Sequence, residues 1–240
     1  MKKRLGILGG MGPLATADLY RKIVELTDAD NDNGHIRVII DSNTAIPDRT
    51  AAILSGGADP VPEMLSAAKN LIACGAECII MPCNTAHYFL PALQPQIPVP
   101  VLDMTKITAQ SCAARYPGKR AAILATRGTL ASGVYVRSLE KAGVEYLVPD
   151  GDEQGVLMHL IYDVVKASKP VLPEKETWSA LLDRLRSKGA DYFILGCTEL
   201  PILSGILSVP GPFIDATDEL AKAAVEYCGY KVKQASALLR

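Results

Sequence analysis

The strongest constraint on this chain is that it carries the same short stretch twice. Gly75-Ala76-Glu77-Cys78-Ile79-Ile80-Met81-Pro82-Cys83-Asn84-Thr85 has a counterpart in Gly189-Ala190-Asp191-Tyr192-Phe193-Ile194-Leu195-Gly196-Cys197-Thr198-Glu199. Each reads Gly-Ala-acid, then four apolar or aromatic residues, a small turn residue, and Cys followed by a hydroxyl or amide side chain. Gly75 to Gly189 and Cys83 to Cys197 are both offsets of 114. An apolar run this short, bounded by turn signals, reads as a buried strand. Each Cys then lies just past the carboxyl end of a strand, where open α/β sheets place ligands.

The flanking sequence repeats as well. Residues 3–14 match 119–130 at an offset of 116, and residues 98–105 match 210–217 at an offset of 112. Three matched segments in the same order imply an internal duplication of one α/β unit. Within the first copy, strands are expected over 4–9, 35–40, the run leading to Cys83, and 99–102. Helices are expected over 14–27, 49–55, 61–74 and onward from Thr85. This alternation argues for a parallel sheet covered on both faces. The expected organisation is 1–103 plus 216–240 as the first domain and 104–215 as the second. A last helix, from about Asp218 to Cys228, returns to pack on the first.

Composition narrows the functional classes. A 240-residue chain with 49% hydrophobic and 21% charged residues can bury a large core. Its formal net charge of -1 gives no reason to expect nucleic acid or a membrane surface as partner. No apolar run is long enough to span a bilayer. Lys2, Lys3 and Arg4 precede only Leu5 to Leu8, too brief for a signal peptide. Six cysteines without an export signal suit free thiols in a reducing, cytoplasmic setting. No Cys-x-x-Cys pair is present, and Cys74, Cys78 and Cys83 lack a second ligand cluster at zinc spacing, so no metal is expected. Cys74, Cys78, Cys112 and Cys228 read as packing residues.

Duplication has a chemical use. Two units related by a pseudo-two-fold axis present the same group from opposite sides of one cleft. Two opposed thiols suit inversion at a stereocentre: one thiolate removes a proton and the other thiol returns one to the opposite face. Both cysteines precede an expected helix start, which favours thiolate. Asn84, Thr85 and Thr198, with the backbone N–H groups there, can hold a carboxylate. Asp103 and Asp215, at matching positions before helices, read as N-caps. A rival reading is a NAD-dependent oxidoreductase, because Gly10-Met11-Gly12-Pro13-Leu14-Ala15 fits the dinucleotide fingerprint and Asp41 ends the next strand. Against it, Pro13 removes one donor from the phosphate cradle, and the duplicated cysteines are left without a role. A non-catalytic, two-lobed amino-acid-binding protein would need the pocket but not two thiols.

Met81-Pro82-Cys83-Asn84-Thr85-Ala86-His87 and Leu195-Gly196-Cys197-Thr198-Glu199-Leu200-Pro201 resemble the two signatures of the aspartate/glutamate racemase superfamily. Gly9-Gly10-Met11-Gly12-Pro13, the Asn43-Thr44-x-Ile46-Pro47-Asp48-Arg49 loop and the Ala125-Thr126-x-x-Thr129 turn are most similar to its aspartate racemase branch. The resemblance spans the whole chain. It implies two α/β domains, each with a roughly four-stranded parallel sheet, an active site between them, and a homodimer. It implies a racemase of aspartate, with glutamate second, that uses no cofactor and acts by two-base chemistry. Carried over residue by residue, Cys83 and Cys197 are the acid/base pair. Asn84, Thr85 and Thr198 bind the α-carboxylate end, and Met11, Thr126 and Thr129 line the pocket. Arg49 holds the side-chain carboxylate, helped by Lys166. Because the Arg49 loop is polar, its replacement by Ala is expected to leave the fold intact. Gly10-Met11 stands where glutamate racemases carry Asp-Ser, and Glu199 where they carry His, which favours the aspartate reading. A maleate-isomerase-like activity of the same superfamily also uses two cysteines.

Overall fold

The computed structural model describes residues 2–233. Met1 and residues 234–240 of the expected first domain lie outside the described residues. In the first half, β1 (Leu5–Gly9), α1 (Pro13–Leu26), β2 (Val38–Ser42), α2 (Arg49–Leu54), α3 (Val61–Ala73), β3 (Cys78–Ile80) and α4 (Leu90–Leu93) follow in order, then α5 (Met104–Arg115). The second half has β4 (Ala121–Leu124), α6 (Arg127–Ser132), α7 (Val134–Lys141), β5 (Tyr146–Leu147), α8 (Gly151–Met158) and a π-helix over His159–Lys166. It closes with α9 (Lys175–Ser187), β6 (Tyr192–Leu195), α10 (Glu199–Leu207), β7 (Phe213–Asp215) and α11 (Ala216–Tyr227).

Two parallel sheets result, ordered β2-β1-β3 and β5-β4-β6-β7. Val101 pairs with Ile79 as a single parallel bridge, in the place that β7 occupies beside β6. The two sheets therefore share one topology. The expected strand over 99–102 is reduced to that bridge; Pro98 and Pro100, which have no N–H to donate, keep pairing from starting before Val101, as Pro210 and Pro212 do before β7. The second strand starts at Val38 rather than His35, since Asp32–Gly34 makes a 3₁₀ turn and His35 N–H bonds back to Asp32. The segment after Cys83 is not one regular helix. It runs as a 3₁₀ turn over Thr85–Phe89, then α4, then a second 3₁₀ turn, with Pro91 and Pro95 interrupting the hydrogen-bond series.

The duplication extends to backbone detail. Gly75 and Gly189 have φ of 91° and 92°, a left-handed region that only Gly enters cheaply. Each ends a helix, and the next residue bonds back across it: Ala76 N–H to Leu71 and Ala190 N–H to Leu185. Glu77 and Asp191 then accept the backbone N–H of Arg4 and Arg120, at 2.9 and 2.8 Å. Asp103 caps α5 and Asp215 caps α11, each accepting two backbone N–H groups of the first turn. These matched ends deliver β3 and β6 to the same depth, with Cys83 and Cys197 beyond them.

Packing places α11 against the first sheet. Leu220, Ala221, Ala224 and Val225 of α11 are buried with Leu19 and Ile23 of α1 and Leu5 and Ile7 of β1. Lys22 of α1 reaches Asp215, at the head of α11, with an Nζ–Oδ2 distance of 2.5 Å. The other sheet is covered by α8, the π-helix and α9 on one face, with Trp178 fully buried, and by α5 and α7 on the other. No helix among the described residues is long and apolar enough to cross a membrane.

Candidate active site

The two matched turns face one cleft. Cys83 and Cys197 each retain only 7% of their exposure, and both line a narrow cleft with a free volume of about 10 Å³, room for about one water. From the first half come Met11, Asp48, Arg49, Thr50, Cys83, Asn84 and Thr85; from the second come Thr126, Tyr162, Lys166, Cys197, Thr198 and Glu199. The cleft adjoins a wider depression of about 350 Å³ that shares Met11, Asp48, Arg49, Lys166 and Glu199 and runs out past Leu14, Thr44 and Ser168. Thr129 stands one layer behind. Its hydroxyl lies 2.7 Å from that of Thr85 and 3.0 Å from that of Thr126, so three hydroxyls from both halves lock together.

The two thiols have different charged neighbours. The Cys197 S–H donates to Glu199 Oε2 at 3.0 Å. Burial pushes this thiol well above its ordinary range, and the Glu199 carboxylate pushes the same way, with Lys166 opposing. Lys166 Nζ lies 2.5 Å from Glu199 Oε1. Burial works against the ammonium, but Glu199 and Cys197 outweigh it and hold Lys166 above its ordinary value. On the other side, the Arg49 guanidinium lies against Cys83. Burial also works against that cation, and Cys83 and Asp48 outweigh it.

Arg49 is no loose surface cation. It is 8% exposed, and its Nη1 and Nη2 donate to the carbonyls of Ile46, Pro47 and Met11 at 3.2, 2.8 and 3.1 Å. The loop is polar in sequence, yet it wraps this guanidinium, so replacing Arg49 should cost stability as well as activity. Two donors remain unused at the cleft. Arg49 Nε and Asn84 Nδ2 are buried without a protein partner. Buried donors in native proteins nearly always have an acceptor, so an anion is the natural complement here.

Residues 8–224 match the model of the Asp/Glu/hydantoin racemase family. The chain belongs to that family. Its members include, among those similar to this chain, a broad-specificity amino-acid racemase of Bacillus subtilis, 28% identical over 95% of this chain and 99% of that one. The structure of an aspartate racemase of Picrophilus torridus superposes with a TM-score of 0.83 at 30% identity, covering 96% of both chains. An aspartate racemase homologue from Pyrococcus horikoshii gives a TM-score of 0.75 at 27% identity, over 94% of this chain and 99% of that one. Membership makes this protein an isomerase of the amino-acid racemase class, acting on small amino-acid substrates.

The racemase fold also shows what sequence patterns left out. Tyr162 precedes Lys166 by one turn of the π-helix, and both face the cleft. Long π-helices are rare and concentrate at functional sites. The Tyr162 hydroxyl donates to Asp48 Oδ2 at 3.2 Å and lies 3.1 Å from the Thr50 hydroxyl, tying the two halves together over the site. Burial pushes the Tyr162 phenol up to about 12, so it remains a donor. Asp48 was within the quoted loop, where it also caps α2. The Gly10-x-Gly12 turn, which imitates a dinucleotide site, is closed on itself. Gly10 N–H donates to Thr16 Oγ1 at 3.0 Å, and the Thr16 hydroxyl donates to Gly12 O at 2.9 Å. The Gly10 N–H is thus taken, and membership of the racemase family leaves the oxidoreductase reading without support.

Proposed function

We propose that this racemase interconverts L- and D-aspartate, with glutamate as a second substrate, by two-base chemistry between Cys83 and Cys197 and without a cofactor. The observation that carries the reading is the pair of unpartnered buried donors, Arg49 Nε and Asn84 Nδ2, in the same cleft as both cysteines. In this reading Asn84, Thr85 and Thr198 hold the α-carboxylate. Arg49 and Lys166 receive the side-chain carboxylate, and Met11 and Thr126 shape the pocket, with Thr129 behind them. Cys83, beside the Arg49 cation, acts first as thiolate and takes the α-proton. The electron pair moves onto the α-carbon and its carboxylate, where the amide and hydroxyl donors stabilise it. Cys197, held as a thiol on Glu199, returns its proton to the opposite face, leaving Cys83 as thiol and Cys197 as thiolate. In the reverse direction the roles exchange.

The same reading assigns residues 1–103 plus 216–240 to one domain and 104–215 to the other, in a cytoplasmic homodimer. The packing of α11 on α1 and β1 supports that division. A broader amino-acid range is the second reading. It is favoured by the engagement of Lys166 with Glu199 and of Arg49 with three backbone carbonyls, which leaves little free positive charge to demand an acidic side chain. A chiral-chromatography screen of the purified enzyme against all L-amino acids decides between them. Aspartate as the best substrate supports the first reading. Equal or faster turnover of neutral or basic amino acids supports the second, and no turnover of any amino acid refutes both.

A further inference from the structure

Asn84 has one amide oxygen and one amide nitrogen, and only the nitrogen can hold a carboxylate. An amide turned the other way would point a lone pair at the substrate. Something must decide which end faces the cleft. Tyr135, on α7 in the second half of the chain, is 1% exposed and does not line the cleft. Its hydroxyl donates to Asn84 Oδ1 at 2.6 Å, which leaves Nδ2 for the cleft. Its ring edge meets the other cysteine turn: a Cβ built on Gly196 would lie 3.1 Å from Tyr135 Cε2. The first copy has Pro82 at the position matching Gly196, so this place differs between the copies for a physical reason. A side chain there would crowd Tyr135 and, at 3.2 and 3.3 Å, the Leu124 carbonyl and the Ala125 Cβ.

We infer that Tyr135 is a positioning residue for the racemase site, wedged between the two cysteine turns and orienting the Asn84 amide toward the substrate α-carboxylate. Tyr135 touches the residue after Cys83 and the residue before Cys197, so one side chain sets the spacing of both. Burial holds its phenol above the ordinary range, so the hydroxyl stays a donor across the working pH. The inference rests on the racemase reading above and adds to it a residue that acts through Asn84.

The test is a double-mutant cycle of Tyr135→Phe and Asn84→Ala, read as kcat and KM for L-aspartate by chiral chromatography, with folding checked by circular dichroism melting. Tyr135→Phe keeps the ring and its contact with Gly196 but frees the amide. Loss of one oriented hydrogen bond predicts a rise in KM of about tenfold. The contact is already made in the ground state and strengthens as charge develops on the carboxylate, so kcat should fall too, by less than KM rises. In the Asn84→Ala background, Tyr135→Phe should add almost nothing, since the amide it orients is gone. A purely structural tyrosine would lower the melting temperature and leave the KM-to-kcat split unmoved. An unchanged KM, or fully additive effects of the two substitutions, overturns the inference while leaving the racemase reading intact. No activity of the wild type on any amino acid overturns that reading, and the inference with it.

Discussion

Glu199→Gln removes the carboxylate that accepts the Cys197 S–H, and the sign of its effect is set by geometry. When Cys197 loses its proton, a thiolate stands 3.0 Å from a carboxylate oxygen. Two unit charges at that separation repel by about 5 kcal/mol at an effective dielectric of ~20, and by about 1.4 kcal/mol in bulk water. One pKa unit corresponds to ~1.36 kcal/mol, so the neutral amide should lower the Cys197 pKa by at least about one unit. Lys166, freed from Glu199, stabilises the thiolate further and acts in the same direction. The assay is the pH dependence of iodoacetamide alkylation, followed by mass spectrometry of the peptide carrying Cys197. Its midpoint should move to lower pH in Glu199→Gln. The alkaline limb of the kcat/KM profile should move the same way, as a property of the coupled thiols. Stability is linked to this group too. A raised folded thiol contributes fully below the unfolded value of ~8.5, and that contribution is lost as pH rises beyond it, so the substitution should flatten the decline. An unmoved or raised alkylation midpoint would refute the role given to Glu199.

Arg49→Ala should lower stability as well as activity, because three backbone carbonyls lose a charged donor. The expected loss is roughly 2–3 kcal/mol, a fall of about 5–10 °C in Tm, and a melt that matches wild type would contradict the clamp. Leu220→Ala, in the fully buried face of α11, should cost about 2–5 kcal/mol in chemical denaturation. A cost well under that range would show that α11 contributes little to the first core. Dialysis against EDTA, or addition of pyridoxal phosphate, should leave turnover unchanged; activity lost on dialysis and restored by a divalent metal, or increased by pyridoxal phosphate, would argue against a thiol-only mechanism.

Much of this architecture was readable because its signals are local. Gly75 and Gly189, the acids that follow them, and the capping Asp103 and Asp215 each act within a few residues, and each repeats. The strand ends carrying Cys83 and Cys197 follow from that repetition. What escaped reading depends on distant elements. Glu199 meets Lys166 across 33 residues and Thr85 meets Thr129 across 44, contacts that only the packed fold creates. Nothing local to Arg49 marks it for burial, since charged loop residues are usually exposed. Its burial arises from carbonyls of Met11, Ile46 and Pro47 that converge only when the loop closes over the first turn. The apolar Val99–Leu102 run reads as a strand, but pairing begins only after Pro100, as it begins after Pro212 in the second copy, and there it stops at one bridge. Tyr162 sits four residues before Lys166, a spacing that could have nominated it once Lys166 was placed at the site.

The most direct test of two opposed thiols is isotope placement in deuterated water. Starting from L-aspartate, the wild type should place deuterium on the D product, because the proton returned comes from the solvent-equilibrated opposite thiol. Remaining L substrate should stay protiated at early times. Starting from D-aspartate, the pattern should mirror this, and Cys83→Ala and Cys197→Ala should each abolish racemisation in both directions. The double variant should be about as inactive as either single one, as for residues that act as a unit. Deuterium appearing together in substrate and product from the first turnovers, or racemisation persisting in either folded single variant, would contradict the two-base mechanism.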